Sequence, residues 1–195
     1  MSATAPRRNE VNQDGLPRVR PGDREGFRQL VAPHEPMIYR AAWSLAEDQE
    51  SAIELSQQAV LLAWRDIERC NSSESIRQRL AEKLIGAARA VHRKTENAER
   101  SEYVPRHFEP WQKLPESVAR TAEFRSDLHM ALSALPLEWR EAFVLRDMLG
   151  FTVPQCAEIL QLNVGLARQL ISNARLQIRD ELATATKHQS AGGGQ

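Results

Sequence analysis

The chain has 195 residues, 26 Lys plus Arg against 26 Asp plus Glu, and 42% hydrophobic residues. That length holds one domain or two small ones, and a formal net charge of zero excludes a protein held to nucleic acid by overall basicity. Two distant cysteines, Cys70 and Cys156, exclude a disulfide ladder and point to a reducing cytoplasm, and no stretch approaches the roughly 20 apolar residues of a membrane span.

Residues 1–22 carry arginines but no apolar core, and read as a disordered arm rather than a signal peptide. Phe27, Leu30, Val31, Ile38, Ala41, Ala42 and Leu45 then fall on one helical face. Pro33 and Pro36 interrupt it, which predicts two short helices meeting near His34, with His34 packed between them. The next helix runs from about Asp48 to Glu68. Its wide apolar sector includes Ala52, Ile53, Leu55, Ala59, Val60, Leu62, Ala63, Trp64 and Ile67. Its polar stripe is Glu54, Gln57, Gln58, Arg65 and Glu68, with Leu61 in the middle, an apolar residue that a partner could cover.

After the loop CNSSES, where Ser72 or Ser73 can act as an N-cap, Ile76, Leu80, Leu84, Ala87, Ala88 and Val91 define a third long helix. Residues 76–94 hold six cations, Arg77, Arg79, Lys83, Arg89, Arg93 and Lys94, against one acid, Glu82. An ordinary solvated face mixes signs, so this run suits phosphate contact. Residues 95–121 lose the pattern, carry three prolines and read as a linker.

A second helical block occupies 122–183, and 184–195 reads as a loose tail. Val153, Cys156, Ala157 and Leu160 share one face; Gln161, Leu162 and Asn163 make a turn, with Asn163 able to cap the helix after it. Ala167, Leu170, Ile171, Ala174 and Ile178 then point inward. Gly165, Arg168, Gln169, Ser172, Asn173 and Arg179 point outward, with Arg175 on the flank. Spacing alone fits either an ordinary helical hairpin or a helix-turn-helix. The outward Arg, Gln and Asn favour DNA, since they can pair with phosphates and base edges. Against that, residues 134–182 hold five Lys/Arg and six Asp/Glu, so this module alone would bind weakly. The five histidines show no metal spacing, and no Gly-rich phosphate loop or nucleophile elbow occurs, which argues against an enzyme or a cofactor.

Taken together the two blocks resemble bacterial RNA polymerase sigma factors of the extracytoplasmic-function class, over roughly residues 23–183. The second block resembles the family's fourth region through Leu135-Pro136, Arg140-Glu141, Val144-Leu145-Arg146, Gly150, Ala157-Glu158-Ile159-Leu160, Val164-Gly165 and Ala174-Arg175. The first is similar to the second region through Tyr39-Arg40, Ala52, Glu54-Leu55, Gln57 and Ala63-Trp64.

The resemblance implies an all-α protein of two small helical domains, at 23–94 and 122–183, joined by a flexible linker. It implies core RNA polymerase and promoter DNA as partners, and an anti-sigma factor as a regulator. Glu54, Gln57, Gln58, Leu61 and Arg65 would face the polymerase. Arg77, Arg79, Lys83, Gly86, Arg89, Arg93 and Lys94 would follow the melted downstream element, and Gly165, Arg168, Gln169, Ser172, Asn173, Arg175 and Arg179 the upstream one. The chain departs from the family pattern at Cys70, where an aromatic is usual, at Gly86, where asparagine is usual, and at Gln161, which replaces a turn glycine. A sigma-like interaction protein without initiation activity and a stand-alone helix-turn-helix regulator are the alternatives.

Overall fold

The computed structural model describes residues 19, 22–66, 70, 72–98 and 126–192, without the side chains of 94–98 and 184–192. The expected N-terminal arm up to residue 18, Ile67, Glu68 and the linker residues 99–121 with Trp111 lie outside the described residues. Among the described residues every regular element is helical, and no helix is long and apolar enough to cross a membrane.

Helix α1 (Arg24–Val31) starts where the Asp23 carboxylate accepts from the Gly26 amide at 2.9 Å. A 3₁₀ turn, Ala32–His34, comes next, and α2 (Glu35–Leu45) begins with Pro36 in its first turn. The break sits where both prolines lack the amide a continuous helix would use. In α3 (Gln49–Arg65) the Asp48 carboxylate caps Ser51 at 2.8 Å. Ahead of α4 (Ser73–Ala98), Ser72 and Ser75 exchange hydrogen bonds: each amide donates to the other's hydroxyl, at 2.9 and 3.0 Å. The second block comprises α5 (126–133), α6 (Leu137–Phe143) continuing into a π turn at Val144–Met148, α7 (Val153–Leu160) and α8 (Val164–Gly192).

Helices α2, α3 and α4 pack through fully buried small residues, Ala41, Ala42, Ala52, Ala59, Ala63 and Ala81, which let the backbones approach closely. Ile38, Ile76, Leu80 and Leu84 fill the space between them. Trp64 meets Phe27 edge-on at 4.9 Å. The two blocks do not keep separate cores. One buried cluster runs from Phe27, Ile38 and Leu84 through to Leu145, Phe151, Cys156 and Ile171, so α4 lies against α7 and α2 against α6. A smaller cluster, Ala131, Leu132, Leu135, Ala174 and Ile178, closes α5 onto α8.

Four details differ from the periodicity. Ile53 and Val91, expected inside, are 39% and 48% exposed, because α3 and α4 each bury only a narrow stripe beside them. Leu170 is half-buried at the rim of the α8 stripe. Helix α4 continues to Ala98. Helix α8 continues to Gly192 rather than ending near 183, and no glycine or proline interrupts residues 184–191. The shared core predicts one cooperative unfolding transition for the whole chain. Leu145→Ala, at a fully buried site, is expected to lower stability by about 2–5 kcal/mol without splitting it. Calorimetry checks this, and two resolved peaks would show that the blocks unfold apart.

Candidate nucleic-acid interface

The α7–α8 pair is built by three local devices. Thr152 and Gln155 form a reciprocal capping box: the Gln155 amide donates to the Thr152 hydroxyl at 3.4 Å, and the Thr152 amide to Gln155 Oε1 at 2.8 Å. Gln161 takes the left-handed conformation at φ 59°, so the Leu162 amide turns back onto the Ala157 carbonyl at 2.8 Å. Glycine would hold that backbone without strain, and glutamine costs about 1 kcal/mol there. Asn163 Oδ1 then accepts from the Leu166 amide at 2.8 Å. A side chain at Gly165 would crowd that same oxygen, with its Cβ at 3.3 Å, so glycine leaves room for the cap.

This geometry fixes which face of α8 is free. Ala167, Ile171, Ala174 and Ile178 are buried. Gly165, Arg168, Gln169, Ser172 and Arg179 are exposed, and Asn173 is half-buried beside them. Arg175 is turned aside by Asp147, which accepts from its Nη2 at 2.6 Å and its Nε at 3.1 Å. Arg179 bonds its neighbour Asp180 at 2.8 Å. Arg168 makes no ion pair among the described residues, so it presents its charge outward beside Gln169 and Ser172.

The cations of α4 are placed differently from a free solvated stripe. Arg77 bonds Glu74 at 3.0 Å, donates through Nη2 to the Leu149 carbonyl of the second block, and stacks its guanidinium 4.2 Å above the Phe151 ring. Arg79 pairs with Glu82 at 2.6 Å, and Lys83 pairs with Asp66. Arg89 forks onto Glu141, Nε to Oε1 at 2.8 Å and Nη2 to Oε2 at 2.7 Å. Arg93 is exposed, its Nε donating to the Arg89 carbonyl at 3.2 Å. The Lys94 side chain lies outside the described residues.

Gly86 is exposed, and a Cβ built there meets nothing within 4 Å. Cys70 is half-buried, its thiol directed at the Asp66 carbonyl and raised by burial. Cys156 is buried, with its thiol pushed up to about 11 by desolvation, and so is an inert core residue.

On α3, Glu54, Gln57, Gln58, Leu61 and Arg65 are all exposed, Leu61 at 66%. Leu61 borders an open groove between α2 and α3, lined also by Ile38, Tyr39, Ser56, Gln57 and Val60.

Sequence reasoning missed Phe151 and the role of Glu141, both without exposed surface. Burial holds the Glu141 carboxyl above its usual range although Arg89 opposes the shift. A signal existed: Glu141 shares the apolar spacing of Val144, Leu145 and Met148, and an acid on such a face needs a buried partner.

Gly86→Ala fills open space, so urea unfolding should show about 1 kcal/mol of added stability. His34 and His129 are both held below the ordinary value of 6.5, chiefly by desolvation. The unfolded chain therefore binds more protons once pH falls below about 6.5. Stability should be full above that value and decline as pH drops below it, read as a falling urea midpoint between pH 7.5 and 5.

Comparison with known proteins accords with this geometry. A family model described as sigma-70, region 4 matches residues 125–178. The chain is 29% identical over 167 residues to the ECF RNA polymerase sigma factor SigE of Mycolicibacterium smegmatis, covering 83% of this chain. It spans 62% of that relative's length, less than two thirds. It is 25% identical over 175 residues to the RNA polymerase sigma-H factor of Pseudomonas aeruginosa, covering 85% of this chain and 91% of that one.

Among solved structures, the sigma factor RpoE from Bartonella quintana, in complex with the anti-sigma factor NepR, shares the fold at a TM-score of 0.61 and 21% identity, over 82% of this chain and 98% of that one. CnrH, solved with the cytosolic domain of CnrY, does so at 0.57 and 23%, over 84% and 91%.

Proposed function

We propose that this chain, which belongs to the extracytoplasmic-function class of RNA polymerase sigma factors, binds core RNA polymerase and directs it to promoters. The observation that carries the reading is the capped α7–α8 helix-turn-helix. Its outward face is polar, carries Arg168 outside any ion pair among the described residues, and follows a first helical block in the chain. The chain supplies no chemistry of its own; it acts in the cytoplasm as the specificity subunit of the polymerase.

In this reading the first block, 23–94, docks through Glu54, Gln57, Gln58, Leu61 and Arg65, with the groove beside Leu61 taking an apolar side chain of the polymerase. The second block, 122–183, places α8 in the major groove of the upstream element. Gly165 allows close approach of the helix start, Arg168 pairs with a phosphate or guanine, and Gln169, Ser172 and Asn173 read base edges. The cations of α4 follow the melted strand, where each contact releases counterions. Each module is weak alone, and the linker adds their binding energies through effective concentration. An anti-sigma factor, such as NepR that accompanies the sigma factor RpoE in its solved structure, would act by covering these surfaces.

In vitro transcription of a genomic fragment library, with core polymerase alone or with this chain, tests the reading. Transcripts appearing only with the chain and sharing upstream motifs are the expected result. Leu61→Glu should weaken co-purification with core polymerase at least tenfold, while Arg168→Ala should leave it intact and cut those transcripts at least tenfold. Polymerase binding without any new transcript would instead indicate an interaction protein that no longer initiates, the outcome that Gly86 and the half-buried Cys70 would favour.

A further inference from the structure

The outward face of α8 is not evenly polar. Gly165, Gln169 and Ser172 run down its middle, all exposed. One edge carries Arg168 and Arg179. The other carries Leu166 and Asn173, with no charged side chain as far as Gln177. Leu166 is the anomaly on that edge. One turn to either side, Leu162 and Leu170 pack against the core, while Leu166 stands 38% exposed. Its amide is held by the Asn163 cap at 2.8 Å, so its place at the helix start is fixed. The two other exposed apolar residues of α8 are different cases. Val164 continues the inward stripe of Ile171 and is uncovered because the helix begins there. Leu176 lies about 15 Å further along the axis than Leu166, beyond the reach of a major groove about 12 Å wide.

An edge without cations gains nothing from phosphates, so on a duplex it is suited to base edges. In the major groove the thymine 5-methyl is the apolar group that a base pair presents. Gln169 follows Leu166 by three residues, about 5–6 Å away at Cβ, and its amide suits adenine N6 and N7. Bases stack about 3.4 Å apart along a strand, so the two side chains address the same pair or neighbouring pairs.

We propose that Leu166 reads a thymine through its 5-methyl group, at or beside the A·T pair whose adenine Gln169 holds. Such readout presupposes that α8 is the promoter-binding helix proposed above. Arg168 then supplies charge from the opposite edge, and Leu166 supplies discrimination without charge.

The test uses the full chain with core polymerase, on a promoter taken from the transcripts that appear only with the chain. Each thymine of the shared upstream motif, on either strand, is replaced singly by deoxyuridine, which removes the methyl and keeps the pairing. One replacement is expected to cut transcription about fourfold, the worth of one buried methyl. Leu166→Ala should cut transcription from the thymine template by about the same factor, and should be indifferent to deoxyuridine at that position. Gln169→Ala should keep the deoxyuridine penalty and lose the preference for adenine at the same or a neighbouring pair. Alanine is the better helix former at both exposed positions, so circular dichroism should show the parent's helix content.

An upstream motif without thymine, deoxyuridine tolerated at every position, or a penalty that persists in Leu166→Ala overturns the methyl readout and leaves the promoter reading standing. No chain-dependent transcript from any fragment overturns the promoter reading itself, and the methyl readout with it.

Discussion

A carboxylate with no exposed surface has to be met by a cation, and the meeting of Glu141 with Arg89 fixes how the two helical blocks sit. Removing the arginine of such a pair costs about 3–5 kcal/mol, because the acid is left buried without its partner. Exposed pairs such as Arg179–Asp180 hold little by comparison, since water screens both ends. The fork from α4 to α6 therefore sets the register of the seam. The Leu149–Phe151 turn then falls over Arg77, and the α7 capping residue Gln155 reaches Glu74.

The helices around that seam are unusually dependent on alanine. Ala41, Ala42, Ala52, Ala59, Ala63 and Ala81 are fully buried and carry almost no side-chain entropy to lose. Close backbone approach in α2, α3 and α4 leaves larger residues such as Leu61 and Ile53 on the outside, where an ordinary bundle would have folded them in. The groove beside Leu61 is thus a by-product of how tightly the inner faces pack.

Much of this architecture is legible in the sequence because it is local. The Pro33–Pro36 break, the Ser72 cap, the Asn163 cap and the two α8 faces each depend on residues within one or two turns, where helical geometry dictates the outcome. Ile53 and Val91 end up exposed against expectation because periodicity gives a direction but not the width of the stripe that packing will cover. The seam is illegible for a different reason. Arg89 and Glu141 are 52 residues apart, and Arg77 and Leu149 are 72. Nothing in the spacing of α4 distinguishes an arginine awaiting a phosphate from one that already holds a buried acid. The Glu141 carboxylate is the better clue, since an acid on an apolar face implies a partner, but it does not say which of the many arginines that partner is.

The closed seam also bears on how such a chain would meet bulk DNA. A protein that displays a row of free arginines is retained by every stretch of duplex it meets, and the genome offers about 10⁶–10⁹ such stretches. This chain carries equal numbers of acids and bases, and four of the α4 cations are neutralised or occupied by its own groups. On the proposed reading, that balance lets the chain diffuse past bulk DNA instead of being titrated by it.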